Sequence, residues 1–429
     1  MSRFRKHVAG VVFLAALVCS LSVARGSEIP DVLTLEEAIR LATERHPSLQ
    51  AEKDEIAIRE ADVVDRGKRL NPAFTVDVEN YPYFSSSGGP YFQNSEITTR
   101  LDYEIETRGR RGLRTDAARQ AVEVWNAIYQ DRLRRFRLQV QRAFYRVVLA
   151  ESNLEVAKSV LEQTDQVISL NRVRYEQGEI SELELRRVEM ERLRFVDEMY
   201  RSRLELQNAK STLLSLLNAP DLGRDIQVIG VLPIAPGDQK FALPPRFTFS
   251  QLKKLAREHR PDLAAALREE QRADTETRLQ SAIRSPNLTV GGGYKRNGLD
   301  NSLVFGLTVP VKLFNRNQGK ILRAQAERRR AAHRAAAVRN RIELEIRKAV
   351  NAVEINRKRV EYIENQHLKR AEKTRALTLE AYRMGGATLM DYLDAQRRYR
   401  DTVRIYNRAL YERRISLYEL AGAVGTGGN

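Results

Sequence analysis

Hydrophobic residues recur every seven positions along one stretch of the chain: Val140, Val147, Leu154, Leu161, Ile168 and Tyr175. Phe136, Ala143, Ala150, Ala157 and Thr164 run beside them at the intervening three-and-four spacing. This double series predicts a helix that buries a narrow seam against its neighbours, while Arg, Glu, Gln and Asn keep the remaining surface wet. No proline interrupts the chain between Pro90 and Pro220, so the helix can run from Gly112 to Gln177, a rise of about 100 Å at roughly 1.5 Å per residue. A looser series, Ile346, Val353, Val360, His367, Thr374 and Ala381, predicts a second long helix with a more polar seam.

Four shorter segments alternate with period two, which predicts strands at about 72–80, 95–106, 287–295 and 301–312. In the first, Phe74, Val76 and Val78 oppose Thr75, Asp77 and Glu79; in the second, Ile97, Thr99, Leu101, Tyr103 and Ile105 oppose Thr98, Arg100, Asp102 and Glu104. Leu288, Val290 and Tyr294 mark the third, and Leu303, Phe305, Leu307, Val309 and Val311 the fourth. Ribbons of roughly ten residues with an apolar outside and a polar inside are the signature of an outer-membrane barrel. Asp77, Glu79, Arg100, Asp102 and Glu104 are then expected in the lumen, and Tyr81, Tyr83, Tyr91 and Phe92 at the lipid–water boundary. Four strands cannot close a barrel, and lipid does not tolerate an open edge, so several chains must share one. Two chains would give eight strands and an interior filled by side chains; three would give twelve and leave a conduit, which favours three.

The chain repeats itself. TLEEAIRLATERHPSLQ from Thr34 recurs as TFSQLKKLAREHRPDLA from Thr248, a shift of 214 that aligns Pro47 with Pro261 and Asn71-Pro72 with Ser285-Pro286. Beyond the first strands the shift drops to 207 or 206, pairing Gly112 with Gly319, Leu138 with Leu344, and YEQG at Tyr175 with YRMG at Tyr382. Each copy reads as helix, two strands, long helix, tight turn and returning helix. Residues 1–24 are then a signal peptide, 25–217 the first repeat with a tip near 175–181, and 218–247 a linker holding five of the thirteen prolines. Residues 248–421 form the second repeat with a tip near 382–388, and 422–429 a disordered tail. Gly178 and Gly385 suit the reversals, with Ser181 and Thr388 as N-caps of the returning helices.

Arg3, Arg5 and Lys6 ahead of an apolar run from Val8 to Val18, then Ser22 and Ala24, supply the export signal. Its removal lowers the formal charge from +17 to +14, 70 basic residues against 56 acidic. An exported chain rarely meets nucleic acid, and these charges alternate in sign along helices, so nucleic-acid binding is not expected. Cys19, the sole cysteine, lies inside the signal behind Leu17 and Val18, which disfavours lipidation and leaves the mature chain without a thiol. His46 and His259 stand at helix ends, and His333 and His367 are isolated. With no HxxxH pair, phosphate loop or nucleophile elbow, neither a metal site, a cofactor nor catalysis is expected.

Together the paired TLEEAI and TFSQLK openings, the NP and SP before the strands, the YEQG and YRMG turns and Asp391-Tyr-Leu-Asp394 resemble the outer-membrane efflux protein family, the TolC-like channel-tunnels. Within it, Val309 to Glu327 resembles the cobalt, zinc and cadmium resistance branch. The resemblance implies a mainly α homotrimer, its twelve-stranded barrel in the outer membrane of a Gram-negative bacterium and an α-helical barrel in the periplasm. It also implies a periplasmic adaptor at Gly178, Ser181, Gly385 and Thr388, an inner-membrane resistance-nodulation-division transporter, and an entrance narrowed by Asp391 and Asp394. The cargo expected is divalent heavy-metal cations. A duct for drugs or polypeptides with the same architecture, and a soluble periplasmic coiled-coil scaffold, remain alternatives.

Overall fold

A computed structural model describes residues 29–81, 95–234 and 248–426. Each repeat opens the same way. Thr34 and Glu37 close a capping box on α1 (Leu35–Arg45), and Thr248 with Gln251 does the same for its counterpart in the second repeat. Proline then occupies the first turn of the next helix, α2 (Pro47–Gly67), where its missing N–H costs nothing. Ahead of α1, β1 (Val32–Leu33) pairs in parallel with a short strand from the linker.

After α2 come β2 (Ala73–Glu79), β3 (Glu96–Ile105), the 67-residue α3 (Arg110–Glu176) and α4 (Glu182–Leu216). The linker strand is β4 (Gln227–Val228). The second repeat supplies α5 (Phe249–His259), α6 (Pro261–Ala282), β5 (Leu288–Asn297), β6 (Asp300–Thr308) and α7 (Gln318–Tyr362). A π-helical segment, Ile363–Leu368, leads into α8 (Lys369–Arg383), and α9 (Leu389–Val424) returns.

The four long strands form one antiparallel sheet in the order β2-β3-β5-β6, leaving β2 and β6 as open edges. Beneath it the helices follow the same order, α2 against α3, α3 against α6 and α6 against α7. Among the described residues no helix is long and apolar enough to cross a membrane.

Four sequence expectations are corrected. Val309 and Val311 fall past the end of β6, because Pro310 has no N–H to continue the ladder. Residues 422–424, expected in a disordered tail, continue α9 and are buried; Gly425 at φ 88° ends the helix. The tail is held because Arg260 donates to the Ala423 carbonyl at 3.1 Å. Tyr175, expected in the seam of α3, is exposed. The seam of the second copy also breaks: Ile346 and Val360 are buried, but His367 and Thr374 face outward. The π-helical segment between them widens the helix and rotates the side chains beyond it, bringing Tyr382 into the core instead of Ala381. The same extra residue explains why the repeat shift changes from 206 at Leu344 to 207 at Tyr382.

Candidate functional site: a two-faced sheet and joined hairpin tips

The register settles which strand residues share a face. Phe74 pairs with Leu101, Leu101 with Gly292, and Gly292 with Phe305, so one row crosses all four strands on the apolar side. Val76, Val78, Tyr294, Leu303 and Leu307 extend that face, and all are exposed in the single chain. A contiguous apolar surface of this size calls for cover by lipid or protein.

Asp77, Glu79, Arg100, Asp102 and Glu104 all fall on the opposite face, as the alternation requires. Arg100 pairs with Asp102 at 2.7 Å. Glu96 and Lys295, which sequence reasoning did not single out, pair across the repeat boundary at 2.7 Å. Only the β3–β5 pairing brings these two together, and their parity in each strand is the signal that could have found them. Gly291 lies below Asp102, and a Cβ there would collide with that carboxylate. Glycine therefore lets the charges of this face lie flat across the sheet. Tyr81 is half-exposed beyond β2, whereas Tyr83, Tyr91 and Phe92 lie outside the described residues.

At the far end, Gly178 and Gly385 adopt φ 78° and 80°, left-handed values that favour glycine. Ser181 caps α4 by accepting from the Glu184 amide at 3.3 Å. Thr388 caps α9, and Asp391 completes the box by accepting from the Thr388 amide at 2.9 Å and its hydroxyl at 2.6 Å. These bonds hold the Asp391 carboxyl below the usual carboxylate range. Crowded acids alone would push it the other way. Asp394 is exposed and pairs with Arg398 at 2.8 Å, one turn on.

The structure also ties the two tips together, which sequence reasoning missed. Arg174 of the first hairpin donates to the carbonyls of Tyr382 and Arg383 in the second, at 3.4 and 2.6 Å, and its guanidinium lies 5.4 Å from the Tyr382 ring centre. Tyr382 donates to Asn171 and stacks on Tyr392, ring centroids 6.0 Å apart. Gln163 accepts from both Arg375 and Gln396 at 2.7 Å. Burial pushes the Tyr392 hydroxyl up to about 12. Polar residues in an otherwise apolar seam, Asn171 above all, were the available signal.

His46 is the N-cap of α2, with its ring 4.6 Å from Phe136 and Nδ1 at 2.7 Å from the Ser48 hydroxyl, and burial lowers its pKa. Arg260 holds the equivalent place in the second repeat, buried and paired with Asp262 and Glu345 at 2.8 Å each. Among the described residues no group of three His, Cys, Asp or Glu side chains is placed to hold a metal.

The family model described as "Outer membrane efflux protein" matches residues 38–219 and 252–426, one stretch in each repeat. The cobalt-zinc-cadmium resistance protein CzcC of Cupriavidus metallidurans is 24% identical over 369 residues, covering 85% of this chain and 83% of that protein. Among solved structures, the CmeC outer membrane channel of Campylobacter jejuni superposes with a TM-score of 0.77 at 16% identity, covering 92% of this chain and 86% of that one. CusC gives 0.76 at 15% identity, covering 91% and 92%. The outer membrane protein VceC of Vibrio cholerae gives 0.75 at 20% identity, covering 92% and 97%.

Proposed function

The chain belongs to the outer membrane efflux protein family, and on that premise we propose that three copies close one barrel and form the exit duct of a tripartite efflux pump. The protein is an outer-membrane channel reaching into the periplasm, and not an enzyme. The carrying observation is the sheet: an apolar face over four strands and two unpaired edges, β2 and β6. Those edges run antiparallel to each other, so β6 of one copy can pair with β2 of the next, and three copies complete a closed ring. A soluble scaffold would leave both edges and the oily face in water.

In this reading the tips at Gly178, Ser181, Gly385 and Thr388 meet a periplasmic adaptor, Asp391 and Asp394 narrow the entrance, and a resistance-nodulation-division transporter supplies the energy. The cargo is divalent heavy-metal cations, a reading supported by the likeness to the cobalt-zinc-cadmium resistance protein. Purified protein reconstituted in planar bilayers should give discrete conductance steps; a preparation that stays monomeric without detergent and never conducts defeats the duct. Deletion should sensitise cells to cobalt, zinc and cadmium, and sensitivity to drugs alone would overturn the cargo.

A further inference from the structure

Just below the barrel, a hollow of about 870 Å³ is lined by residues from all four wall helices, α2, α3, α6 and α7. Its Arg114 pairs at 2.7 Å with Glu106, which continues the lumenal alternation of Arg100, Asp102 and Glu104, so the hollow and the polar sheet face share one side. Six basic and three acidic side chains line it. The adjoining groove between α6 and α7 adds three basic and one acidic.

Most of the acids are already neutralised. Asp62 pairs with Arg59, Glu269 with Arg272 at 2.8 Å, and Glu327 with Arg323 at 3.1 Å; Glu276 accepts from Gln280 at 2.7 Å. Lys320, Arg323, Glu327, Arg330 and Arg334 follow each other at three-and-four spacing on one face of α7. Of these, Lys320, Arg330 and Arg334 are exposed and make no ion pair among the described residues. The sheet face above carries more acids than bases, so this positive band lies directly beneath an acidic one.

We infer that this stretch of wall is a lumenal anion-binding belt that holds multivalent oxyanions. The inference rests on the trimeric duct: three unpaired cations per chain become nine around one bore, converging on a water-filled hollow between low-dielectric walls. Guanidinium groups match phosphate-type oxygens bidentately, and Lys320 adds a point charge at the barrel end of the stripe. An oxyanion held there would oppose the passage of other anions and shield cations crossing the band.

The test uses the intact protein in planar bilayers at low salt, with inorganic tripolyphosphate added to one side. The wild-type conductance should be blocked reversibly, and the triple variant Lys320→Gln, Arg330→Gln, Arg334→Gln should need about tenfold more tripolyphosphate for the same block. Glu327→Gln keeps every cation and should tighten the block. A conductance indifferent to tripolyphosphate overturns the belt while leaving the duct intact, as does equal block of wild type and triple variant. Should the triple variant fail to assemble, Glu327→Gln decides alone, and unchanged or weaker block overturns the belt. A wild-type preparation without any conductance overturns the duct and the belt with it.

Discussion

Phe305 stands at the middle of β6 on the apolar face, 81% exposed in the single chain, and its neighbour Val304 faces the other way beside Gly293 and Arg100. Phe305→Arg therefore tests the lipid-facing assignment. A guanidinium near the bilayer midplane costs about 2–4 kcal/mol, and losing the buried phenyl ring costs about 2 kcal/mol more, so each chain loses about 4–6 kcal/mol. Three chains lose about 12–18 kcal/mol together, comparable with the whole stability of an ordinary domain. The variant should leave the outer-membrane fraction and run as monomer on unheated gels, while Val304→Arg, placed on the polar face, should assemble normally. In water the two substitutions would rank the other way, because replacing an exposed phenyl by arginine is there nearly neutral. Phe305→Arg trimers of wild-type heat resistance in the membrane fraction would refute the reasoning.

Two further outcomes follow from the capped tip and the buried junction. Thr388→Ala removes the α9 cap and the hydroxyl donor, the larger of the two influences that hold Asp391 down, while the backbone N–H donor stays. It should therefore cost about 1 kcal/mol locally and raise the Asp391 pKa part of the way, both read by NMR titration and by protease sensitivity of the 382–388 turn. At Asp262 burial alone would raise the carboxyl, but the hydrogen bonds and charge of Arg260, helped by Arg134 and Arg341, overrule it and bring it from 3.8 to about 2. A carboxyl lowered on folding stabilises above its unfolded value and loses that contribution as pH falls from about 3.8 to about 2, here on the order of 2 kcal/mol. Asp262→Asn should flatten acid denaturation over that window; an unchanged profile would show that the pair does not govern it.

The seven-residue and two-residue periods foretold the long helices and the four ribbons because burial follows the local repeat of the backbone: a face must be apolar wherever it packs. Self-similarity exposed the duplication, and even the one-residue change in the repeat shift stood in the sequence, though nothing there said that the helix absorbs it as a π-helical segment at Ile363–Leu368. Periodicity names a buried face but not its partner. The Glu96–Lys295 pair and the bridge from Arg174 to Tyr382 join residues whose meeting depends on how the two repeats dock. The unpaired cations of α7 were visible as charges in the chain, yet only the packing of α7 against α6 gathers Lys320, Arg330 and Arg334 along one groove. Local patterning determined what each segment is, because backbone geometry repeats over a few residues; the long-range contacts decided which charges meet, because those depend on packing between segments far apart in the chain.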